Sequence, residues 1–438
     1  MGLTELEKDK EFKFFKPFSL PQNPTHPDRT VSICDFGAVE NCDCTKSIRA
    51  AIDHLAEKGG GRVIVPRGNW STGAIHLKSN IHLHFEEGAH VSFSTNPEDY
   101  LPVVLCVFEG VRCYNYSPFI YGINLENVSV TGKGYLEGNG EAWWPWKKRP
   151  AGLQELYMAG RDEKPLEERV YGTEEAAIRS AFVQFLYCKN VLLEGFTLHN
   201  SPFWNVDPVW CENLIVRDIT IESPFHSPNT DGINIDACKN VLVEDCTVVS
   251  AGDDLFCLKA GRNEDARAVG IPCENVVIRR CKALGDCNSG GIVIGSEMSA
   301  GVRNILAYDC EFTNNQNGIR IKSKDGRGGI IEDIECRNIH TKKAYRGINL
   351  SFRYEDVRSY DAPKKPGAYM PIYRRMYFKD ISCDDAEFGI AIDGVVGGRM
   401  EDIYMENISM RAQKCLTADS VEGLHFTNVN LTQIEREQ

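Results

Sequence analysis

The stretch that decides the fold is residues 240–246, Asn-Val-Leu-Val-Glu-Asp-Cys, and variants of it recur along the chain. Each variant begins with Asn, continues with alternating apolar residues and ends with a small or acidic residue. Successive copies between residues 190 and 304 lie 23, 27, 35 and 29 residues apart. The clearest other copies begin at Asn127, Asn190, Asn213, Asn275 and Asn304, and weaker ones at 331, 376, 400 and 421.

This period, with two-residue alternation inside each copy, is typical of a repeat solenoid. Each repeat contains several strand-length segments separated by Gly, Asn or Asp, and none keeps a 3.6-residue period. Helical repeats are therefore disfavoured, and the pattern predicts an all-β fold, a parallel β-helix. The recurring Asn suits a bend between strands, because its amide can bond the backbone and the Asn of the next coil.

The cysteines of the chain number 17, so they cannot all pair within it. Cys246, Cys281, Cys310 and Cys336 end four of the repeats, which predicts a stack of thiols inside the solenoid, with metal ligation as the alternative. The first fifteen residues contain no apolar segment of the kind that precedes a signal-peptide cleavage site. We therefore expect free thiols and a cytoplasmic location.

The charge balance narrows the partners. With 49 basic and 62 acidic residues, a formal charge of −13 opposes non-specific binding to nucleic acid or to an anionic membrane. No apolar run approaches ~18 residues, so no membrane span is predicted. The net charge points to no particular partner, and the sequence makes no prediction of the oligomeric state.

The repeats favour one long domain over several. We assign residues 1–30 to an N-terminal extension and residues 31–438 to a single β-helix domain. Residues 45–57 place apolar side chains on one helical face and precede three glycines, which predicts a helix that caps the open end of the solenoid.

Two segments interrupt the repeat, at about 141–176 and 355–372, and long ordered excursions often wall a binding groove. A helix is predicted at 173–182, where the first excursion ends. Tryptophans in or near this excursion are candidates for stacking on sugar rings, with packing inside the loops as the alternative. They are Trp143, Trp144, Trp146 and Trp204.

Carboxylates dominate the most informative part of the chain. Asp231 is followed 22 residues later, about one coil, by the adjacent pair Asp253 and Asp254. Adjacent parallel strands lie ~4.8 Å apart, so the three acids are predicted to converge on one patch. Neighbouring strand residues point to opposite faces, so the pair needs a bend, which Gly252 permits. The alternative is that these are ordinary turn residues at the corners of a solenoid.

A pair of cations follows two coils later. Arg320 and Lys322 are two residues apart and so share one face of a strand. Counting rungs places them ~10 Å from the acids, where they suit an anionic substituent; the alternative is a pair of solvated surface cations. Paired carboxylates beside such cations favour glycoside cleavage, which needs no metal or cofactor. A calcium-dependent lyase is the rival, but no Asp-x-Asp-x-Asp loop is present.

The order of motifs resembles the polygalacturonase family, glycoside hydrolase family 28. The motifs are Asn229-Thr-Asp-Gly, Gly252-Asp-Asp, Gly291-Ile-Val-Ile-Gly-Ser, Arg320-Ile-Lys, Asp35-Phe-Gly-Ala, Gly59-Gly-Gly, Pro66-Arg-Gly and Ser201-Pro-Phe-Trp. The resemblance covers about residues 31–432 and implies a right-handed, pectin-lyase-like β-helix with an inverting mechanism. By position, Asp253 would be the general acid, Asp231 and Asp254 would activate water, and Arg320 and Lys322 would bind the substrate carboxylate.

The chain departs from the family pattern where imidazoles usually stand. Ser289 and Gly290 occupy the segment that usually reads Gly-His-Gly, and Asp207 takes the place of a His after the Ser-Pro-Phe-Trp motif. His226 is a candidate replacement for one lost contact, or an ordinary turn residue. The remaining candidate substrate-binding residues are Asn229, Lys259 and Trp204.

We therefore expect an exo-acting, inverting glycosidase that releases a terminal sugar, galacturonate, from pectic oligosaccharides. Its expected partner is an oligosaccharide or a small glycoside. The acid and base should lie in the ~6.5–9.5 Å range of inverting enzymes. The alternatives are the same machinery acting on rhamnosyl, xylosyl or another terminal glycoside, and a non-catalytic carbohydrate-binding β-helix.

Overall fold

The computed structural model describes residues 11–354 and 359–435. Three α-helices are present in these ranges: α1 Thr45–Glu57, α2 Ala151–Arg161 and α3 Asn263–Val269. Short 3-10 helices cover Ile33–Phe36, Pro97–Tyr100, Gly140–Ala142, Trp144–Lys148, Leu166–Glu168 and Ser359–Asp361. The strands are β1 Thr30–Ser32, β2 Gly61–Val65, β3 Gly68–Thr72, β4 Ile75–His76, β5 Ile81–Phe85, β6 Ala89–Phe93, β7 Val104–Phe108, β8 Val111–Asn115, β9 Ile120–Ile123, β10 Glu126–Gly132, β11 Tyr135–Glu137, β12 Val183–Leu186, β13 Lys189–Glu194, β14 Thr197–His199, β15 Val206–Val209, β16 Glu212–Arg217, β17 Thr220–Glu222, β18 Ile233–Asp236, β19 Lys239–Glu244, β20 Thr247–Ser250, β21 Phe256–Lys259, β22 Cys273–Arg279, β23 Lys282–Ile294, β24 Val302–Lys322, β25 Ile330–Ser351, β26 Ile372–Asp393, β27 Arg399–Asp419 and β28 Leu424–Gln433.

The strands stack in parallel on three faces of a right-handed β-helix, which confirms the predicted fold class. Face 1 contains β13, β16, β19 and β22, face 2 contains β14, β17 and β20, and face 3 contains β12, β15, β18 and β21. Strands β24 to β27 each run through all three faces. Apolar side chains alternate inward along every coil and form one continuous core.

The repeated asparagines form a ladder beside face 1. Each donates its side-chain amide to the side-chain oxygen of the Asn one coil earlier, as Asn240 does to Asn213 at 3.3 Å. The ladder runs through Asn80, Asn127, Asn190, Asn213, Asn240, Asn275 and Asn304. Every member has a positive φ, 55° at Asn240, which Asn tolerates better than most residues. The repeat signal therefore marks a bend that is bonded from coil to coil.

The thiol stack is shorter than predicted. Cys246, Cys281 and Cys310 stack inside the solenoid, and all 17 cysteines are free. Cys336 was assigned to the same stack wrongly: it pairs in register with Ala307, whereas Cys310 pairs with Ile339. Cys336 stands three residues earlier in its repeat than Cys310 does, so its side chain belongs to a different column of the stacked coils. A second stack, which the sequence analysis missed, consists of Cys188, Cys211, Cys238 and Cys273.

Helix α1 occupies the predicted cap position and buries Ile48, Ala51, Ile52 and Leu55 against the first coils. The described part of the N-terminal extension runs along the outside of face 1. Its Lys16 bonds both polar groups of Asn304, with the Lys16 amide donating to Oδ1 at 2.7 Å and the Asn304 amide donating to the Lys16 carbonyl at 2.9 Å. Phe15 and Leu20 cover apolar side chains that point outward from face 1.

The first excursion folds as short helices, with α2 at 151–161 rather than at the predicted 173–182. The predicted helix does not form: Ala177 has a φ of 53°, and Arg179 is drawn to the Pro202 and Pro228 carbonyls. Of the second excursion, residues 355–358 lie outside the described residues; Tyr360 contacts Tyr157 of α2 at 5.8 Å between ring centroids. No helix among the described residues is long and apolar enough to cross a membrane.

We predict that Asn240→Ala lowers the free energy of unfolding by about 2–3 kcal/mol, since it removes two ladder hydrogen bonds and forces Ala into positive φ. Asn240→Gly should cost about 1 kcal/mol less, because Gly adopts positive φ without strain. Urea unfolding followed by circular dichroism measures both. Equal losses would show that the backbone conformation does not matter, and no loss in either variant would show that the ladder does not stabilise the fold.

Candidate active site

The three acids lie where the chain enters two neighbouring strands of face 3. Asp231 precedes β18, and Asp253 and Asp254 precede β21, its partner one coil later. Two hydrogen bonds join the loops: the Gly252 amide donates to Thr230 Oγ1 at 3.0 Å, and the Gly232 amide donates to the Asp254 carbonyl at 2.8 Å. The predicted convergence therefore occurs.

Gly252 is required for space rather than for a special φ. A Cβ at this position would collide with the Ser227 carbonyl oxygen, and the φ of Gly252 lies outside the left-handed region. The close approach of these loops brings the two carboxylate-bearing segments together. The bend at 252–254 then allows Asp253 and Asp254 to face one cleft, with the Asp254 amide donating to Asp253 Oδ1 at 2.9 Å.

The three carboxyl groups form one cluster. One oxygen from each of Asp231, Asp253 and Asp254 lies within 4.8 Å of the others. The spacing of neighbouring coils sets the distance from Asp231 to the Asp253–Asp254 pair. The distance between Asp253 and Asp254 is limited by the peptide bond that joins them. Three negative charges at this distance repel one another strongly, so their protonation must differ.

Asp254 is the ionised member of the group. Burial opposes its charge, but the ammonium groups of Lys322 and Lys259 outweigh that cost and hold its pKa at about 2. Lys322 Nζ donates to Asp254 Oδ2 at 2.6 Å, and the Ser289 hydroxyl donates to Oδ1. The Gly290 amide lies 3.5 Å from the same oxygen. Asp254 is thus a carboxylate at any neutral or mildly acidic pH.

The pKa values of Asp253 and Asp231 are both raised, in contrast to that of Asp254. Burial, and then the charge of Asp254, raises the pKa of Asp253. Burial, and then the charge of Asp253, raises the pKa of Asp231 well above its usual range, although Lys259 Nζ lies 3.8 Å from its Oδ2. Asp253 is the most exposed of the three, whereas Asp231 and Asp254 are 2% and 1% exposed. Asp253 is therefore the acid that a substrate can reach.

One side of the cleft is closed. The antiparallel hairpin β7–β8 brings Glu109 into the cleft lining, where the Tyr157 hydroxyl of α2 and Arg262 bond its carboxylate. Lys147 of the first excursion and the buried Arg179 donate to Asn229 Oδ1 at 2.7 and 2.8 Å. The excursion therefore walls the site, as predicted from its length.

Trp204 and Lys259 form the floor beside Asp231. The Lys259 ammonium lies 4.6 Å from the centre of the Trp204 ring and 3.1 Å from Glu297 Oε2. Burial favours the neutral amine, but the neighbouring acids raise the pKa of Lys259 well above its usual value. Trp204 is the only one of the four candidate tryptophans that lines the cleft; Trp143 and Trp146 are buried in the core, and Trp144 donates to the Ser201 carbonyl at 2.9 Å.

The other side of the cleft adjoins a second cavity of about 310 Å³, which shares Lys322 and Tyr354 with it. Arg320 lines this cavity, donates to Ser289 Oγ at 3.1 Å and keeps a buried Nε without a hydrogen-bond partner in the described residues. Lys322 is not ~10 Å from the acids as the rung count predicted, since its Nζ lies 2.6 Å from Asp254 Oδ2. The Lys322 side chain reaches back across the intervening coil to Asp254.

The candidate residues separate into three groups. Those that line the cleft are Asn229, Asp231, Asp253, Asp254, Lys259, Lys322 and Trp204. Ser289 and Gly290 stand behind Asp254. Asp207 and His226 lie outside the cleft lining: Asp207 is fully buried and bonded to Gln184 under the hairpin, and His226 is exposed against the edge of Trp144. Burial raises the pKa of Asp207 well above its usual range, so a direct sugar contact through a charged Asp207 is excluded.

Sequence reasoning missed Glu109, Glu297 and Tyr354, all of which line the cleft. Glu297 directly follows the motif Gly291-Ile-Val-Ile-Gly-Ser, so its place near the site could have been predicted from that motif. Glu109 lies in the β7–β8 hairpin, and Tyr354 lies where the second excursion begins. The repeat does not extend into either segment, so it cannot predict which coil these residues contact. Long-range packing alone brings them to the site.

The three acids are also the one cluster in the described ranges whose oxygens could hold a metal ion. Two ammonium groups already neutralise it, since Lys322 lies 2.6 Å from Asp254 and Lys259 lies 3.8 Å from Asp231. A divalent cation would have to compete with both. The donor set fits proton transfer better than cation binding.

Comparison with known proteins identifies a family of glycosyl hydrolases. A family model described as glycosyl hydrolases family 28 matches residues 168–429. A probable polygalacturonase of Vitis vinifera is 30% identical over 411 residues, covering 90% of this chain and 78% of the relative. An exo-poly-alpha-D-galacturonosidase of Dickeya chrysanthemi is 26% identical over 446 residues, covering 93% and 71%. The crystal structure of a hyperthermoactive exopolygalacturonase from Thermotoga maritima aligns with a TM-score of 0.85 at 36% identity, covering 93% and 94%.

A parallel β-helix with clustered carboxylates and cations in a cleft on one face, together with these relatives, defines the protein as a glycoside hydrolase. The chain belongs to glycoside hydrolase family 28, the polygalacturonase family.

We predict that Ser289→Ala raises the pKa of Asp254, because it removes a hydroxyl that donates to the ionised form. Since the base must be ionised, the acid limb of the pH dependence of kcat should move to higher pH, by about half a unit to one unit. Steady-state kinetics from pH 2 upward measure the shift, because the wild-type limb lies near the Asp254 pKa of about 2. Ser409→Ala, at an exposed serine on face 2, is the control, and an unchanged limb in Ser289→Ala would contradict the assigned role of Asp254.

Proposed function

We propose that this enzyme releases terminal galacturonate from pectic oligosaccharides by exo-acting, inverting hydrolysis. The observation that carries the proposal is the cluster of three adjoining carboxylates, in which Lys322 contacts Asp254 and keeps its pKa low while burial and the charge of Asp254 raise the pKa of the more exposed Asp253. General acid–base hydrolysis of a glycoside needs this combination.

The closed side of the cleft supports exo action. Glu109, Trp204 and the contacts of Lys147 and Arg179 with Asn229 leave the terminal sugar no continuation in that direction. The rest of the oligosaccharide leaves through the cavity beside Lys322 and Tyr354. The relatives named for exo activity, from Dickeya chrysanthemi and Thermotoga maritima, agree with this direction.

Asp253 acts as the general acid. Its raised pKa keeps the proton that the departing glycosidic oxygen needs as its bond to the anomeric carbon breaks. Asn229 positions this group, with its amide 3.4 Å from Asp253 Oδ2. Because the acid is the most exposed of the three carboxylates, the glycosidic oxygen can approach it.

Asp254 acts as the base and Asp231 orients the water. The attacking water gives one proton to Asp254 as its oxygen bonds to the anomeric carbon, while Asp231 Oδ1, buried without a partner in the described residues, is free to hold the water. Both oxygens of Asp254 already accept hydrogen bonds. The water is therefore activated jointly by Asp254 and Asp231, and a single displacement with inversion is what the family resemblance implies.

Two cations favour an acidic sugar at the position after the cleaved bond. Arg320, with its partner-free Nε, and Lys322 face the position after the cleaved bond, and Arg is well suited to bind a carboxylate. Among the described residues no histidine lines the cleft, and His226 lies outside it, so no imidazole there replaces those absent from the family pattern. A short oligosaccharide fits the closed pocket. A cytoplasmic location remains our proposal, supported by the 17 free thiols.

We predict that Asp253→Asn lowers kcat on digalacturonate by about 10²–10⁴, because the amide cannot donate a proton to the leaving oxygen. Reducing-sugar release measures the loss. Asp218→Asn, which changes an exposed acid on the outside of the solenoid, is the matched control and should keep full activity. Unchanged activity in Asp253→Asn would contradict its role as acid.

The anomer formed first tests the stereochemistry. Proton NMR at early times should show β-galacturonate released from an α-linked substrate, since one displacement inverts the anomeric carbon. Early release of the α-anomer would overturn the inverting mechanism and leave the hydrolase assignment intact.

A substrate panel tests the sugar. Digalacturonate, unsaturated rhamnogalacturonan fragments and aryl glycosides of rhamnose and xylose should be compared, and we expect release of galacturonate to be fastest. Faster release of a neutral sugar would replace galacturonate by the rhamnosyl or xylosyl alternative. Binding without cleavage of any of them would support the carbohydrate-binding alternative.

A further inference from the structure

The cavity beside the cleft is lined by Arg320 and Lys322 and extends to residues one rung further along the solenoid. In the pairing of β24 with β25, Asn349 lies next to Arg320 and Arg346 lies next to Asn317. Arg346, Asn349 and Arg353 line the cavity from β25 and the residues just after it, and Asp393 lines it from β26. Its volume of about 310 Å³ is in the range of a small-ligand site, whereas the cleft around the acids is narrower.

Arg346 is a positioned cation without an acidic partner in the described residues. Its guanidinium carbon lies 4.7 Å from the centre of the Tyr345 ring and 5.5 Å from that of Phe388, which restricts the side chain before any ligand binds. Arg353, in contrast, is paired with Asp419. Together with Arg320, which lies nearer the cleft, Arg346 is therefore a lining residue whose charge is available to an anionic ligand.

Asn349 supplies an unused acceptor. Its side chain is 3% exposed and its amide donates to Asn317 Oδ1 at 3.2 Å, but its Oδ1 has no hydrogen-bond partner in the described residues. A buried acceptor without a donor is costly, and the hydroxyl of a sugar in the cavity would satisfy it. A carboxylate-binding Arg and a hydroxyl-binding Asn together match a sugar acid better than a simple anion.

The position of Asp393 favours one orientation of a sugar acid in the cavity. It is the one acid among the lining residues in the described ranges and stands one rung beyond Ser351, its partner in the pairing of β25 with β26. A bound sugar acid would turn its carboxylate toward Arg346 and its hydroxyls toward Asp393 and Asn349.

We infer that Arg346 and Asn349 form a second sugar-acid subsite, which holds the carboxylate and a hydroxyl of the sugar that follows the one bound by Arg320 and Lys322. This inference rests on the proposed function and extends it to the third sugar of the substrate. An acidic trisaccharide then gains a charge-assisted contact that an acidic disaccharide does not reach.

The test compares digalacturonate with trigalacturonate in the wild type and in Arg346→Ala. We expect kcat/KM for trigalacturonate to fall about tenfold or more, mainly through KM, and to fall at least fivefold more than the value for digalacturonate. Lys343→Ala, at an exposed cation on the same strand that does not line the cavity, is the matched control and should leave both values unchanged. Arg346→Lys should recover part of the loss.

A trigalacturonate that carries a methyl ester on its third carboxylate identifies the contact. If Arg346 binds that carboxylate, the ester should reduce kcat/KM in the wild type and have little further effect in Arg346→Ala. Equal losses on both lengths of substrate, no loss on either, or full additivity of ester and mutation would each overturn the subsite. Failure of the wild type to cleave either acidic substrate would instead overturn the proposed function.

Discussion

The asparagine ladder of face 1 is the interaction on which the rest of the molecule depends. Each Asn holds the same bend in left-handed backbone and bonds to its counterpart in the next coil, so that coils of unequal length return to the same register. Fixed register aligns the coils on face 3 as well. There it places two acidic loops on adjacent coils, and the whole site is a consequence of that alignment.

The alignment of the coils also brings three carboxylates close together, and neighbouring groups compensate the repulsion between their charges. Three carboxylates with oxygens within 4.8 Å of one another would repel as a fully ionised group. Lys322 stabilises the charge of Asp254, while burial favours the protonated forms of Asp231 and Asp253. The resulting difference in protonation, rather than any one residue, is what suits the cleft to acid–base hydrolysis. The same cations face the place where an acidic substrate would lie.

The parts of the site that follow the repeat were predictable, and the parts that interrupt it were not. Asp231, Asp253 and Asp254 could be brought together by counting residues, because one coil separates them and strand spacing is constant. The count failed for Lys322, whose long side chain reaches back over a coil to Asp254. Asp207, a candidate because it takes the place of a family His, lies outside the cleft, since it is covered by the hairpin β7–β8, which has no period in the sequence.

The sequence by itself determined the β-helix, the position of its cap and the convergence of the three acids, because these depend on local alternation and on the length of a coil. Only the tertiary structure decided which acid is ionised, which side of the cleft is closed, and which lining side chains remain without partners. Those properties depend on burial and on contacts between residues far apart in the chain, such as Glu109 with Arg262, which no local pattern encodes.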